Sequence, residues 1–235
     1  MVVLTFDGLL FLLRWTHFLA GITWIGLLYY FNFVQTPFFA ETDPPVRVGA
    51  VQKLVPRALW WFRWGAMITF LSGWLYIALR AHQGGIFRVS YGWAIFLGGL
   101  LGSLMWANVW FVIWPKQKIV IQNAIDTAAG RPANPAATPA GARAGLASRT
   151  NTMLSVPMLF FMAAASHLAL PVPRSGLGFW IITLVIMALI EVNALVGTPG
   201  KGPAKPLATV SGTLWAGFVL ALVYYVVFEA IGMRG

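Results

Sequence analysis

Arg14-Trp15-Thr16-His17-Phe18-Leu19-Ala20-Gly21-Ile22-Thr23-Trp24-Ile25-Gly26 is apolar enough to lie in a membrane, yet it carries an arginine and a histidine. At helical spacing Arg14, His17, Gly21, Trp24 and Leu28 share one face. Ionisable groups at membrane depth are costly, so they turn toward the protein interior and mark sites. Gly21, one turn from the imidazole, leaves room for something flat and bulky. This face is therefore expected to hold a cofactor, with the rest of the chain building a bundle around it.

The whole chain fits that setting. Of 235 residues, 59% are hydrophobic and only 9% are charged, with 12 tryptophans. A soluble domain of this size could not hide so much apolar surface, so the class is integral membrane protein. The absence of cysteine excludes disulfides, thiolate metal sites, iron–sulfur clusters and a covalently attached c-type haem. The net charge of +10 reports membrane topology and implies no nucleic-acid partner. Nothing basic precedes the first apolar run, which is long enough to span, so no cleaved leader is expected.

Windows of about 20 apolar residues give six spans: Leu9–Phe33, Trp61–Ala81, Tyr91–Trp114, Thr152–Leu170, Leu177–Val196 and Ala208–Ile231. The runs are too long and too unalternating for barrel strands, so the expected fold is an all-α bundle of six transmembrane helices in one domain. In the first connection, Val51-Gln52-Lys53-Leu54-Val55 is expected along the interface. The third opens with a short helix ending at Ala128 and continues through an Ala/Pro/Gly tract, Gly130 to Gly145. That tract reads as a flexible linker, too low in apolar content to pack.

Loops one, three and five carry Arg47, Lys53, Arg57, Arg63, Lys116, Lys118, Arg131, Arg143, Arg149, Lys201 and Lys205. The other side holds Arg14, Arg80, Arg88, Arg174 and Arg234. The odd loops are thus expected in the cytoplasm and both termini in the periplasm of a bacterial inner membrane. His17 then lies early in an inward span and His167 late in an outward one, so both fall in the outer half. His82 emerges on the same side beside Gly84-Gly85, where a solvated histidine is the expectation.

Two imidazoles from different helices, each beside small residues (Gly21; Ala163 and Ala164), suit axial ligation of a b-type haem. Arg14 and Arg80 are placed to pair with its propionates. Copper ranks below haem, because a redox copper site would recruit Met or Cys thiolate and the chain has no Cys. Gly98, Gly99, Gly102 and Ser103 form a small-residue face for helix packing. Glu191 is expected to pair with a loop lysine rather than serve a proton path.

Longer strings carry a family likeness. They are His17 to Gly26 running into Tyr29-Tyr30-Phe31-Asn32-Phe33, Trp60-Trp61-Phe62-Arg63-Trp64-Gly65, Asn108-Val109-Trp110-Phe111-Val112-Ile113-Trp114-Pro115-Lys116-Gln117-Lys118, and Ser148-Arg149-Thr150-Asn151-Thr152-Met153-Leu154-Ser155-Val156-Pro157-Met158 ending at His167. Together they resemble the membrane domain of the bacterial membrane-bound urate hydroxylase family, the urate oxidase N-terminal domain. The resemblance implies an oxidoreductase whose electrons leave through a c-type cytochrome fused at the C-terminus. This chain stops at Gly235 without a haem-attachment motif, so the expected acceptor is a separate c-type cytochrome or a respiratory complex.

If urate is the substrate, its anion needs cationic and amide partners, and Arg63, Lys116, Arg149 and Asn151 are the candidates. The competing class is a non-catalytic structural or assembly subunit of a larger membrane complex. It predicts co-purification with that complex and no bound cofactor. Transport finds no support, because no span is broken by Gly and Pro around an acidic pair.

Overall fold

In the computed structural model, residues 2–233 are described, so Arg234 lies outside the described residues. The chain opens with α1 (Phe6–Tyr29), capped by the Thr5 side chain accepting from the Gly8 N–H. The helix does not stop at Tyr29. A π-helical segment, Tyr30–Gln35, carries it into α2 (Thr36–Glu41). The cause is Pro37, which brings no N–H for the carbonyl four residues back and crowds it. The ladder slips by one residue, and the Thr36 N–H bonds the Phe31 carbonyl instead.

After α3 (Pro44–Lys53) comes α4 (Val55–His82), then α5 (Ser90–Ala107). The same device recurs at the end of α5. A second π segment, Asn108–Ile113, leads into α6 (Trp114–Ala128), with the Trp114 N–H on the Val109 carbonyl just before Pro115. The remaining helices are α7 (Ala137–His167), α8 (Gly176–Val196) and α9 (Val210–Ile231). Short strands β1 (Val172–Pro173) and β2 (Gly232–Met233) pair antiparallel, tying the end of α9 to the α7–α8 turn.

Contacts fix how the passes alternate. Gly65 of α4 sits where an added Cβ would lie 3.2 Å from the Trp24 nitrogen and 3.3 Å from the Ala20 carbonyl, so α1 and α4 pack backbone to backbone. They run antiparallel, with Gly65 against Ala20 and Gly73 against His17. Along α5 and α7, Gly98 meets Met162, Gly102 meets Met158 and Asn108 meets Asn151, again antiparallel. The glycine face of α5 therefore serves packing, as read from the sequence.

Five continuous helical stretches are long and apolar enough to cross a membrane: Phe6–Glu41, Val55–His82, Ser90–Ala128, Gly176–Val196 and Val210–Ile231. The sixth expected span, Thr152–Leu170, falls on α7, which is not among them. The reason is its composition. The helix carries Thr150, Asn151, Thr152, Ser155 and Ser166 among its apolar residues and packs against α5, α6, α8 and α9, while Leu159 and Phe160 stay exposed. Asn151 and Ser155 are buried along it and bond neighbouring elements, Asn151 accepting from Asn108 at 3.0 Å and donating to the Met105 carbonyl at 2.9 Å. Tyr29 and Ser155 share a hydrogen bond of 2.9 Å, and Asn32 donates to Ser148 at 2.8 Å.

The connection after α6 departs from the sequence reading. Gly130 to Gly145 is not an unpacked linker throughout: α7 begins at Ala137, and Ala137, Ala140 and Ala144 are buried. Alanine is a strong helix former, and its small side chain lets the helix lie close to its neighbours without a large apolar surface of its own. The short helix ending at Ala128 is present as expected.

Candidate functional site

The α1 face that opened the sequence reading lies against α4. Leu28 and Trp24 on it are fully buried and His17 is half-buried. The His17 Nδ1 lies 2.9 Å from the Thr69 carbonyl, which can only accept, so Nδ1 carries the proton. Nε2 is then the lone-pair nitrogen. A metal-binding imidazole is commonly oriented in this way by a backbone carbonyl. The ring rests over Gly73, where an added Cβ would meet Cε1 at 2.8 Å and Nδ1 at 3.0 Å. Gly21 faces Thr69, whose Cγ2 would stand 3.9 Å from an added Cβ, so α4 occupies the side that Gly21 opens.

The other residues expected around a haem are placed as follows. The Arg14 guanidinium donates to the Tyr76 hydroxyl, which also accepts from Tyr91 at 3.5 Å. Arg80 is exposed and donates to Gln83 at 2.8 Å. His167 is the last residue of α7 and is exposed, and His82 is exposed at the end of α4. In donor chemistry His17 could hold a haem iron, because its Nδ1 proton on the Thr69 carbonyl leaves Nε2 as the nitrogen with a lone pair. Arg14, by contrast, is already committed to a tyrosine.

A cavity of about 260 Å³ opens at the other, more basic end of the bundle. Phe31, Asn32 and Gln35 reach it from the first π segment, Ile113 and Gln117 from the second and from α6, and Arg149 from α7. Phe31 and Phe62 meet edge to face at 5.4 Å between ring centres and line the same space. Two polar atoms here are buried and have no partner: Gln35 Oε1 and Arg149 Nη1. One is an acceptor and the other a cationic donor. Unpaired buried polar groups are costly, so these two are open to a partner that enters the cavity, a water or a ligand. The volume is at the small end of ligand pockets.

Of the four residues picked for an anion from sequence, only Arg149 lines this cavity. Arg63 stacks over Trp114 at 3.9 Å instead. Asn151 is spent on Asn108 and on the Met105 carbonyl. Glu191 finds no lysine: its partner is Asn108, whose Nδ2 donates to it at 3.0 Å. Asn32, Gln35 and Gln117 were missed. The signal for them was the pair of prolines, Pro37 and Pro115, each within a few residues of an amide side chain.

Five apolar helices among the described residues that are long enough to cross a membrane define the class, a helical membrane protein, with a small cavity at its more basic end. The chain belongs to the urate oxidase N-terminal family, whose model matches residues 86–226, more than half its length. That match begins after α4, so His17 and the α1–α4 pair lie outside it. No curated protein and no solved structure matches the chain.

Proposed function

We propose that the chain is the membrane module of a urate hydroxylase-like oxidoreductase of the bacterial inner membrane. Urate binds in the cavity beside Arg149; a haem b would supply the electron acceptor within the membrane, and a separate c-type cytochrome or respiratory complex would be the partner outside the chain. The observation that carries the reading is the pair of unpartnered atoms, Arg149 Nη1 and Gln35 Oε1, on one small cavity. Membership of the family supports the choice of substrate.

Urate at neutral pH is a flat monoanion with carbonyl oxygens and ring N–H groups on its rim. Arg149 would donate to the anionic edge and Gln35 Oε1 would accept a ring N–H, while Phe31 and Phe62 cover the ring faces. Hydroxylation by water adds one oxygen to the ring and releases two protons and two electrons. When bound, the haem supplies a one-electron acceptor. His17 would hold it through Nε2. The Thr69 carbonyl keeps the His17 ring in the tautomer that leaves Nε2 free.

The test is urate-driven reduction of added cytochrome c in membranes that contain the full chain. The expected result is a rate well above a vector-only control. Arg149→Ala should lower kcat/KM by about tenfold or more, the worth of a hydrogen bond to a charged group. No rate above the control overturns the reading.

A further inference from the structure

We propose that Glu191 is an intramembrane proton-binding site, a neutral carboxylic acid paired with the Asn108 amide that exchanges its proton with water. Glu191 is the sole ionisable residue in the 21 residues of α8, an otherwise apolar helix with mean hydropathy 2.3. It is half-buried, and its partner is neutral. The charged groups on the elements packed against this part of α8 are Arg143 and Arg149 of α7 and Lys205 of the Gly202–Ala208 segment. None forms an ion pair with it, and Arg143 donates to the Ala194 carbonyl at 2.8 Å.

Hydrogen-bond accounting at Asn108 gives the protonation state. Its Nδ2 donates both to Asn151 Oδ1 and to Glu191 Oε2, each at 3.0 Å. Asn108 is 1% exposed, and its Oδ1 is buried with no donor facing it. A carboxylate can only accept, so an ionised Glu191 would leave that oxygen unpaired beside a negative charge. A protonated Glu191 brings the missing donor, and acid and amide then close a ring of two hydrogen bonds. An unpaired carboxylate inside a membrane helix would be costly in its own right. Release is the simple step in which the O–H bond breaks and the proton goes to water, leaving the carboxylate.

This inference does not rest on the urate or haem reading, and its test reads neither. Dicyclohexylcarbodiimide, an apolar reagent, adds to protonated carboxyls in apolar surroundings and leaves a stable N-acylurea. The purified full chain should take up the label on the Glu191 peptide at neutral pH, lose that labelling at strongly alkaline pH, and leave Asp126 unlabelled. The adduct should be absent from Glu191→Gln. Infrared spectra of the unmodified protein should show a protonated-carboxyl carbonyl band that shifts in D2O, so the proposal stays testable if the variant fails to fold. A Glu191 peptide that is labelled only after unfolding, or the absence of any such band, would overturn it.

Discussion

At the scale of single residues, the two features with chemical consequence are a fixed imidazole and an unpaired guanidinium. The His17 ring is held between the Thr69 carbonyl and the bare backbone at Gly73. Gly73→Val would put a branched side chain where Cε1 already stands within 2.8 Å of an added Cβ. The ring must swing away from Thr69, so haem bound per protein should fall to near that of His17→Ala, with helix content by circular dichroism retained. Haem content equal to the unaltered chain would show that the ring orientation is irrelevant to the cofactor. At Arg149, lysine keeps the charge but loses the planar fork. Arg149→Lys should therefore raise KM for urate while leaving more activity than Arg149→Ala.

At the scale of elements, the two π segments and the α1–α4 contact determine the shape of the molecule. Each π segment precedes a proline; the first turns Phe31, Asn32 and Gln35 toward the cavity and the second turns Ile113. Pro37→Ala restores an N–H and lets the helix relax to an ordinary α-ladder, rotating Gln35 and Asn32 relative to α7. The expected outcome is a higher KM for urate with unchanged or raised thermal stability, checked by kinetics and a melting curve together. Gly65→Ala forces backbones apart at Trp24 and should cost about 1–3 kcal/mol of stability, as overpacking does. The helices themselves were legible, because long apolar runs in a membrane leave little choice. The π segments were not, since a proline in a helix allows either a kink or a slipped ladder, and only packing decides. The helical start of α7 at Ala137 was also hidden. That start buries only small side chains, Ala137, Ala140 and Ala144, which leave no long apolar run to read.

At the scale of the whole molecule, charge asymmetry and packing describe two unlike ends. One end gathers Arg14, Tyr76 and Tyr91, with His17 deeper in the same half, and the β1–β2 pair ties the α7–α8 turn to the end of α9. The other end gathers the cavity and the basic loops. The chain lacks cysteine, so single cysteines can report topology without a background. Lys201→Cys and Arg174→Cys should be labelled by an impermeant maleimide from opposite faces of a sealed vesicle. Labelling of both from one face would contradict six alternating passes. Sequence reasoning puts the cofactor candidates at the histidine end and the anion candidates Arg63, Lys116, Arg149 and Asn151 at the basic end, where Arg149 lines the cavity. The cavity was out of reach because it is built from Asn32, Gln35, Gln117 and Arg149, which come from separate helices and share no motif. Under the proposal, this cavity would feed electrons to a haem held on the same chain. Adding urate to the purified full chain without oxygen, and recording the visible spectrum, tests it most directly. The account predicts a b-type haem that becomes reduced by urate in the unaltered protein, is reduced far more slowly in Arg149→Ala, and is missing in His17→Ala. A colourless protein, or a haem that urate leaves oxidised, would contradict it.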